Sequence, residues 1–327
     1  MIVTVTANPA IDRLVPLGSS LQRGAVQRTG VAVDQPGGKG INVARVVHAA
    51  GARTCAVVPV GPHDALLSTL EPTGLPTRLV PVAHPTRVNL TLAEPDGTTT
   101  KLNAPGAGLT DGELDELAAA VLRAARGAHW VAICGSLPTD VDPSWYAGLL
   151  RSLRSSGVRV AVDTSGPALA AVLADPSCAP DVVKPNGHEL VEILGGDAEA
   201  VEADPALAAE AAQRLRAERG PADVLLTLGS TGAVLATAGG SWFCASPPIT
   251  PRSTVGAGDS ALAGYLLARV AGHDDPTTVA TAVAHGSAAA ALPGSTPPTP
   301  ADVAALATPA AEALGNAPTP KDPSWTA

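Results

Sequence analysis

Short apolar runs alternate with segments of helical periodicity along most of the chain. Residues 41–50 carry apolar side chains at the spacing of one helix face, and the apolar runs at 2–6 and 55–60 predict buried strands. Further helices are predicted at 110–126, 143–156, 168–174, 189–194 and 205–219, and further strands at 130–134, 159–163, 182–184 and 224–227. Strands that alternate with helices in this way predict a mostly parallel sheet flanked by helices on both faces, an α/β fold.

Two insertions, at about residues 12–34 and 84–104, depart from this rhythm. The second contains two runs of alternating polarity, 87–92 and 98–102, on either side of the turn sequence Pro-Asp-Gly, which predicts a hairpin. The first mixes short β-like pieces with turns. We expect the two insertions to form a small β lid beside the main sheet. Such a lid would exclude water from a reaction at the site. Residues 313–327 are proline-rich without periodicity and are expected to form a flexible tail.

The composition excludes several classes of protein. With 46% hydrophobic and 16% charged residues among 327, the chain is not generally disordered. Its 21 Lys and Arg against 30 Asp and Glu give a net charge of −9, which argues against nucleic-acid binding by bulk positive charge. Only 2% of the residues are aromatic, so stacking platforms for single strands are not expected. An anionic ligand must therefore be bound by a local cluster of cations and backbone amides.

Membrane, secretion and zinc signals are weak. Residues 1–13 lack the basic and long apolar parts of a signal peptide, and the apolar stretch 279–292 is interrupted by His285 and too short to span a bilayer. The four cysteines are widely spaced, with no C-x-x-C pair to suggest zinc. We expect a cytoplasmic protein with no membrane partner.

The strongest local signal is the sequence VGAGDS at residues 255–260, which runs into a helical pattern. Glycines at a helix N-terminus expose amide N–H groups that have no intrahelical partner, and these suit a phosphate. Asp259 is then poised to take a proton from an attacking hydroxyl. The alternative is an early-turn acid that complements the helix dipole. The string also fits the dinucleotide pattern G-x-G-x-x-A, but a nicotinamide site would be expected in the first β-α-β unit.

The sequence QPGGKGIN at residues 35–42 resembles a P-loop but lacks the Ser or Thr that must follow the lysine. One interpretation is that the paired glycines let a ligand approach the backbone, with Lys39 and Asn42 as polar contacts. The alternative is a tight turn before a helix, with Lys39 solvated.

Two more polar groups follow predicted strands, where parallel sheets place their ligands. Asp12 comes soon after the first strand, and its carboxylate can accept two sugar hydroxyls. Asn186 and Glu189 follow strand 182–184 and are three residues apart, so both can reach one hydrated Mg²⁺. Their alternative role is a helix cap, with Asn186 as N-cap and Glu189 as its capping-box partner.

Taken together, these segments resemble the PfkB (ribokinase-like) carbohydrate kinases. Residues 37–42 and 253–260 match the two family signatures, and the resemblance runs from the first strand to about residue 300. The motifs that resemble the phosphosugar branch are TANPAID at 6–12, TRVN at 86–89, NAPG at 103–106 and GSLP at 135–138. The resemblance implies a ribokinase-like three-layer fold with a small β lid, in a kinase domain spanning residues 1–312.

The resemblance also implies a role for each matching residue. Asp259 is the implied catalytic base, and the implied anion hole consists of Gly256, Ala257 and Gly258. The implied substrate-binding residues are Asp12, Gly38, Lys39, Asn42, Arg87, Lys101 and Ser136, with Arg87 on the substrate phosphate. The implied ATP-binding residues are Lys184, Asn186, Glu189, Thr227, Gly229, Gly232 and Ala289, of which Asn186 and Glu189 organise Mg²⁺ largely through water and the ATP phosphates. Some relatives also hold a monovalent cation near Ser253, Val255 and Ala289, and relatives often form homodimers through the lid.

The implied reaction is ATP-dependent phosphorylation of the 6-hydroxyl of fructose 1-phosphate to give fructose 1,6-bisphosphate. Tagatose 6-phosphate and fructose 6-phosphate are alternative acceptors, and a non-catalytic sugar or nucleotide sensor is an alternative of another class. Ala25 and Gln27 stand where relatives that use fructose 6-phosphate carry cations, which weakens that alternative. Cys134 and His188 also depart from the residues common at their positions.

Overall fold

Fourteen strands and eleven α-helices form between residues 1 and 314, the part of the chain that the computed structural model describes. The strands are β1 (Ile2–Thr6), β2 (Ala10–Pro16), β3 (Val33–Gly37), β4 (Thr54–Val60), β5 (Thr77–Pro81), β6 (Arg87–Ala93), β7 (Thr99–Leu102), β8 (Trp130–Cys134), β9 (Arg159–Asp163), β10 (Val182–Val183), β11 (Asp223–Thr227), β12 (Gly232–Thr237), β13 (Gly240–Ala245) and β14 (Glu312–Leu314). The helices are α1 (Lys39–Ala49), α2 (Ala65–Leu70), α3 (Asp111–Ala125), α4 (Trp145–Arg154), α5 (Gly166–Val172), α6 (Gly187–Leu194), α7 (Ala198–Ala203), α8 (Pro205–Arg219), α9 (Ala257–Ala271), α10 (Asp275–Ala290) and α11 (Pro300–Ala304).

Ten strands form one large sheet in the order β14-β13-β12-β11-β10-β9-β8-β1-β4-β5. Neighbours from β11 to β5 are parallel, as the sequence predicted. The edge formed by β12, β13 and β14 is antiparallel and was not predicted. Strands β11, β12 and β13 follow one another without a crossover helix. Short turns are enough here, because antiparallel neighbours can be joined by a hairpin.

Helices cover both faces of this sheet because successive side chains of a strand point to opposite sides. In β1, Val3 and Val5 pack among the buried side chains of α3 and α4. Ile2 points the other way and belongs to the cluster formed with α1, α9 and α10. The three-layer α/β fold predicted from the sequence is thus present.

Four strands form a small separate sheet in the order β3-β2-β6-β7. The predicted hairpin is confirmed as the antiparallel pair of β6 and β7, and β2 pairs with β6 in parallel. In this register Asp12 lies opposite both Gln35 and Asn89, so the three side chains share one face of the small sheet. Strands from both sequence insertions therefore build this sheet.

The chain end of the described part belongs to the large sheet. Leu314 pairs with Ser241 of β13, so the expected flexible tail does not begin at residue 313. The reason is that residues 312–314 satisfy backbone groups along the β13 edge. The rest of the predicted tail, 315–327, lies outside the described residues. Within residues 1–314, every helix is too short or too polar to cross a bilayer.

Candidate active site

The polar side chains singled out in the sequence meet at the carboxyl edge of the large sheet. Strands β1, β8, β9 and β10 run parallel and end there, each followed by a loop. Helices α1 and α9 begin at the same edge, since Asn42 of α1 contacts Asp259 of α9. This is the edge where open parallel sheets place their ligands.

Asp259 lies in the first turn of α9, and only 6% of its surface is exposed. Asn42 Nδ2 donates a hydrogen bond of 2.9 Å to Asp259 Oδ2. The helix follows Gly256, which has a left-handed φ of 78° that favours glycine. Within residues 1–314 no side chain caps this turn, so its amide N–H groups face outward without intrahelical partners. The turn is therefore built to receive an anion beside a buried carboxylate.

On balance the pKa of Asp259 is raised to about 6; burial is the largest cause, and the nearby charge of Asp163 adds to it. Lys39, the Asn42 hydrogen bond and Lys184 oppose this rise. The balance leaves Asp259 mostly ionised at neutral pH and able to accept a proton. Such a pKa suits a general base, because it lies near the operating pH.

Asp163, the last residue of β9, is fully buried and was not identified from the sequence. Lys39 Nζ donates to its Oδ1 at 2.7 Å, and Lys184 Nζ lies 3.2 Å from its Oδ2. Burial alone would raise the pKa of Asp163, but the two ammonium groups lower it on balance. The one available signal was an aspartate at the end of an otherwise apolar buried strand, which costs free energy unless paired.

Lys39 is held by carboxylates, so the alternative of a solvated lysine is wrong. Besides its bond to Asp163, its Nζ lies 3.8 Å from Glu189 Oε1. Burial lowers its pKa, but the charges of Asp163, Glu189 and Asp259 raise the pKa well above its usual range on balance. Lys39 is thus a permanent cation in the site, next to three carboxylates.

The helix-cap interpretation of Asn186 and Glu189 is confirmed at the start of α6. Asn186 Oδ1 accepts from the Glu189 amide at 2.8 Å, and Glu189 Oε2 accepts from the Asn186 amide at 3.0 Å. Glu189 Oε1 remains on the side of Lys39. Across the described part of the chain, no three His, Cys, Asp or Glu side chains are placed to hold a metal by themselves. Glu189 Oε1 is nevertheless an oxygen donor of the kind that Mg²⁺ prefers.

The small sheet presents a second group of polar side chains. Asn89 Nδ2 donates to Asp12 Oδ1 at 3.0 Å, and burial raises the pKa of Asp12. The Oδ1 atoms of Asn89 and Asn42 are buried without a partner among the described residues. Unpaired buried acceptors fit ligand hydroxyl groups, which can donate to them. Asn89 was not identified as a site residue; its motif position was the only signal.

Gly37 must remain a glycine because the Asp12 side chain occupies the space of its Cβ. The same holds in part for Gly38, where a Cβ would lie 2.6 Å from Thr6 Cγ2. The paired glycines are therefore explained by packing within the chain, and the sequence interpretation, close approach of a ligand, is not needed to account for them.

Arg87 binds backbone carbonyls at the edge of the small sheet. Its guanidinium donates to the carbonyls of Ala104 at 2.6 Å, Asn8 at 3.1 Å and Pro9 at 3.4 Å. It thereby ties the loop after β1 to the loop after β7. These bonds use three of its five N–H groups, so two remain for an anion. A cleft lies against Arg87, between the 7–9 and 106–109 loops.

The other predicted substrate residues lie around this centre. Lys101 is exposed on β7 opposite Thr91, on the face that carries Asp12. Ser136 is exposed just after β8, next to Gly135, whose added Cβ would lie 3.7 Å from Lys39 Cβ.

The predicted nucleotide residues lie in several loops around the site. Lys184 is buried, and its Nζ lies 3.4 Å from the position of a Cβ on Gly258, beside the anion-binding turn. The Thr227 amide donates to the Pro185 carbonyl at 3.1 Å, which joins the end of β11 to the 184–186 loop. Gly229 lies in the exposed turn that follows. Gly232 is buried in β12 against the Cys244 carbonyl, so the sheet itself requires glycine there.

Ala289 is buried near the end of α10, and the Ser253 amide donates to the neighbouring Ala290 carbonyl at 3.2 Å. The loop before the anion-binding turn is thus fastened to the end of α10. Ser253 and Ala289, two of the residues expected near a monovalent cation, therefore lie close together.

The sequence profile described as "pfkB family carbohydrate kinase" matches residues 9–302, which is most of the chain. The chain belongs to the PfkB family of carbohydrate kinases. The family predicted from the two signatures is thereby confirmed.

Named relatives within the PfkB family resemble nearly the whole chain. The 1-phosphofructokinase of Rhodobacter capsulatus is 37% identical over 311 residues, which cover 94% of this chain and 95% of the relative. The 1-phosphofructokinase of Escherichia coli K12 is 34% identical over 287 residues, covering 86% and 89%. The crystal structure of phosphofructokinase-2 from Escherichia coli, in complex with substrates and products, superposes with a TM-score of 0.85 at 31% identity, covering 93% and 97%.

Proposed function

We propose that this PfkB kinase transfers the terminal phosphoryl group of ATP to the 6-hydroxyl of fructose 1-phosphate, giving fructose 1,6-bisphosphate and ADP. One observation carries the proposal: a buried carboxylate, Asp259, with a pKa of about 6 stands in an uncapped helix turn beside the lysine Lys184. A base, an anion-binding turn and a cation are the groups that phosphoryl transfer needs.

In this mechanism Asp259 takes the proton of the sugar hydroxyl as that oxygen attacks phosphorus. Asn42 orients the carboxylate through its 2.9 Å bond, while its own unpaired Oδ1 accepts from the sugar. The amides that follow Gly256, together with the Lys184 ammonium, stabilise the charge that develops on the moving phosphoryl group. Asp163 fixes Lys184 in this position.

The residues around Glu189 fit ATP with Mg²⁺. Mg²⁺ supplies charge neutralisation on the ATP phosphates when bound. We assign its nearest protein contacts to Glu189 and Asn186, largely through water, and the ATP phosphates to Lys184 and to the loop that contains Thr227 and Gly229. The loop that contains Ser253 and Val255, together with the end of α10 at Ala289, is the proposed place for a monovalent cation.

The choice of fructose 1-phosphate rests on two supports. Two of the related proteins are named 1-phosphofructokinase, at 37% and 34% identity. In addition, Gln27 is a neutral amide that binds the lid loop itself, donating to Ser19 Oγ at 3.1 Å and to the Ser20 carbonyl at 3.0 Å. The loop thus has no cation at position 27 for a 6-phosphate, and Arg87 and Lys101 remain to bind a 1-phosphate.

A homodimer through the small sheet is also part of the proposal. Leu90 and Leu102 lie opposite each other on the face of the sheet that does not carry Asp12, the face that also carries Val88, and Leu102 is 53% exposed. Val88, which the sequence alternation also suggested, packs inward against the cluster around Ile41.

The acceptor is tested by measuring ADP release from MgATP with fructose 1-phosphate, fructose 6-phosphate, tagatose 6-phosphate, fructose and ribose. We expect the highest kcat/KM with fructose 1-phosphate. A higher value with another phosphosugar would overturn the acceptor while leaving the base and ATP site in place. ATP binding without any ADP release would favour a sensor.

Arg87→Ala is expected to raise the KM for the phosphosugar about 10- to 100-fold, because an ionic hydrogen bond contributes about 1.5–3 kcal/mol. The KM for ATP should change little. The matched control is Arg78→Ala, which removes an exposed arginine of the edge strand β5. An equal loss with unphosphorylated fructose as acceptor would show that Arg87 acts only by fastening the loops.

The pH dependence should follow Asp259. Because the ionised form is the base, kcat/KM is expected to fall as the pH drops through about 6, the pKa of Asp259. The substrate phosphates titrate in the same range, so Asn42→Ala serves to separate them. The Asn42 hydrogen bond lowers the pKa of Asp259, and its loss should move the acid limb to higher pH. A limb that stays in place in this variant would belong to the substrate.

A further inference from the structure

Ser295 is a buried residue of the loop after α10, and two other parts of the chain bind it. Gln35 Oε1 of β3 accepts from both the amide and the hydroxyl of Ser295, each at 3.0 Å. Arg45 of α1 donates from one terminal nitrogen to the Ser295 carbonyl at 3.0 Å. The small sheet and α1 are thus fastened to a single serine.

The buried position of Arg45 is energetically unfavourable for a charged side chain. Arg45 is only 8% exposed, and its guanidinium donates to carbonyls, those of Ser295 and Pro36 at 3.3 Å, with no carboxylate within ion-pair distance among residues 1–314. Its Nε has no partner there. Burying a charge in this way is less favourable than burying an apolar side chain of similar volume. The arrangement is therefore better explained by the geometry it specifies than by stability.

The geometry links the two halves of the site. A Cβ on Gly256 would lie 3.9 Å from Ser295 Cα and 4.0 Å from Asn42 Nδ2, so Ser295 packs against the start of the anion-binding turn. At the other end, Gln35 lies opposite Asp12 in the small sheet, on the face that also carries Asn89. The chain of contacts runs from the proposed sugar face to the proposed phosphoryl-transfer turn.

We propose that Gln35, Arg45 and Ser295 form a positioning strut that sets the distance between the sugar face of the small sheet and the turn that carries Asp259. The inference rests on the proposed kinase function. The strut residues bind neither substrate in this assignment; they act through Asp12 and Gly256. A misplacement of about 1 Å between reacting groups lowers rates about 10²-fold, so loss of the strut should affect the sugar step.

The kinetic test uses Gln35→Leu and Arg45→Met in the full chain. We expect kcat/KM for fructose 1-phosphate to fall by about 10- to 100-fold, through both kcat and the sugar KM, with an unchanged KM for ATP. Gln35→Glu keeps the accepting oxygen and should restore most of the activity. Ser295→Ala removes only the hydroxyl and should give a smaller loss of kcat/KM. This variant keeps the inference testable if the larger substitutions prevent folding.

The matched control is Arg13→Met. Arg13 makes an ion pair with Asp34 through two hydrogen bonds, of 2.6 and 2.7 Å. This pair joins the same strands, β2 and β3, but it does not involve the side chain of Gln35. The substitution should leave all kinetic constants near the wild-type values. If the strut variants match this control, or if the KM for ATP rises as much as the sugar KM, the strut is overturned.

Hydrogen–deuterium exchange separates this inference from the proposed function. Gln35→Leu should speed amide exchange at residues 256–260 as well as at 33–37, while Arg13→Met should leave 256–260 unchanged. If the wild-type protein phosphorylates no sugar but the two variants still show this difference in exchange, the proposed function is refuted and the strut is retained. Normal exchange at 256–260 in Gln35→Leu would refute the strut, whatever the activity.

Discussion

Asp259→Asn is expected to lower kcat about 10²–10⁴-fold, the usual contribution of a positioned general base. The amide keeps the size of the carboxylate but cannot accept the hydroxyl proton. Because Asn42 Nδ2 now donates to Asp259 Oδ2 at 2.9 Å, an amide oxygen can keep that bond and the fold. Substrate binding should therefore change less than kcat. The measurement is ADP release at saturating MgATP and fructose 1-phosphate.

The control for Asp259→Asn is Asp274→Asn, because Asp274 also stands at a helix start. Asp274 caps α10 by accepting from the Thr277 amide at 3.0 Å, away from the site. If Asp259 merely complemented the helix dipole, the two variants would have similar small effects. An Asp259→Asn protein that keeps more than about a tenth of the wild-type kcat would contradict the assignment of the base.

Asp163→Asn is expected to reduce the free energy of unfolding by about 3–5 kcal/mol, because it leaves a buried lysine without its counter-charge. Lys184, whose side chain is 5% exposed, is the main one affected. Activity should fall as well, since Lys184 then loses its fixed position beside Gly258. The measurement is urea unfolding at neutral pH, followed by the midpoint and the slope.

The matched control for Asp163→Asn is Asp34→Asn, which removes the exposed partner of Arg13. Such surface pairs contribute about 0–1 kcal/mol. The pKa of Asp163 is lowered in the folded protein, so its contribution is present above the ordinary value of 3.8 and is lost as the pH falls through the folded value. The difference between wild type and Asp163→Asn should shrink accordingly in acid. Equal stability at neutral pH would show that the lysines find other partners.

Local patterns were enough to predict most of the large sheet. Helix α8 and strands β8 and β9 have the predicted bounds, because each is a buried apolar run or an amphipathic period closed by turn residues. The antiparallel hairpin of β12 and β13 was missed, although its Gly-Gly turn sequence is a hairpin signal. The expectation of a uniform β-α rhythm outweighed that local signal.

The candidate site was predicted where a motif carries it and missed where it depends on distant pairing. Asp259, Asn42 and Glu189 lie in recognisable strings. Asp163 does not, because its significance comes from Lys39, 124 residues away in sequence. Asn89 became visible only through the register that sets it beside Asp12.

The division of the molecule into two sheets has a consequence for how such enzymes diversify. Under the proposed function, the side chains that read the sugar belong mainly to the small sheet, while the base, the anion-binding turn and the lysine pair belong to the large one. Acceptor preference can then drift during evolution through substitutions in four short strands, without disturbing the chemistry. The same separation makes the small sheet a natural unit for grafting between homologues, provided that the recipient carries partners equivalent to Ser295 and Arg45 for Gln35.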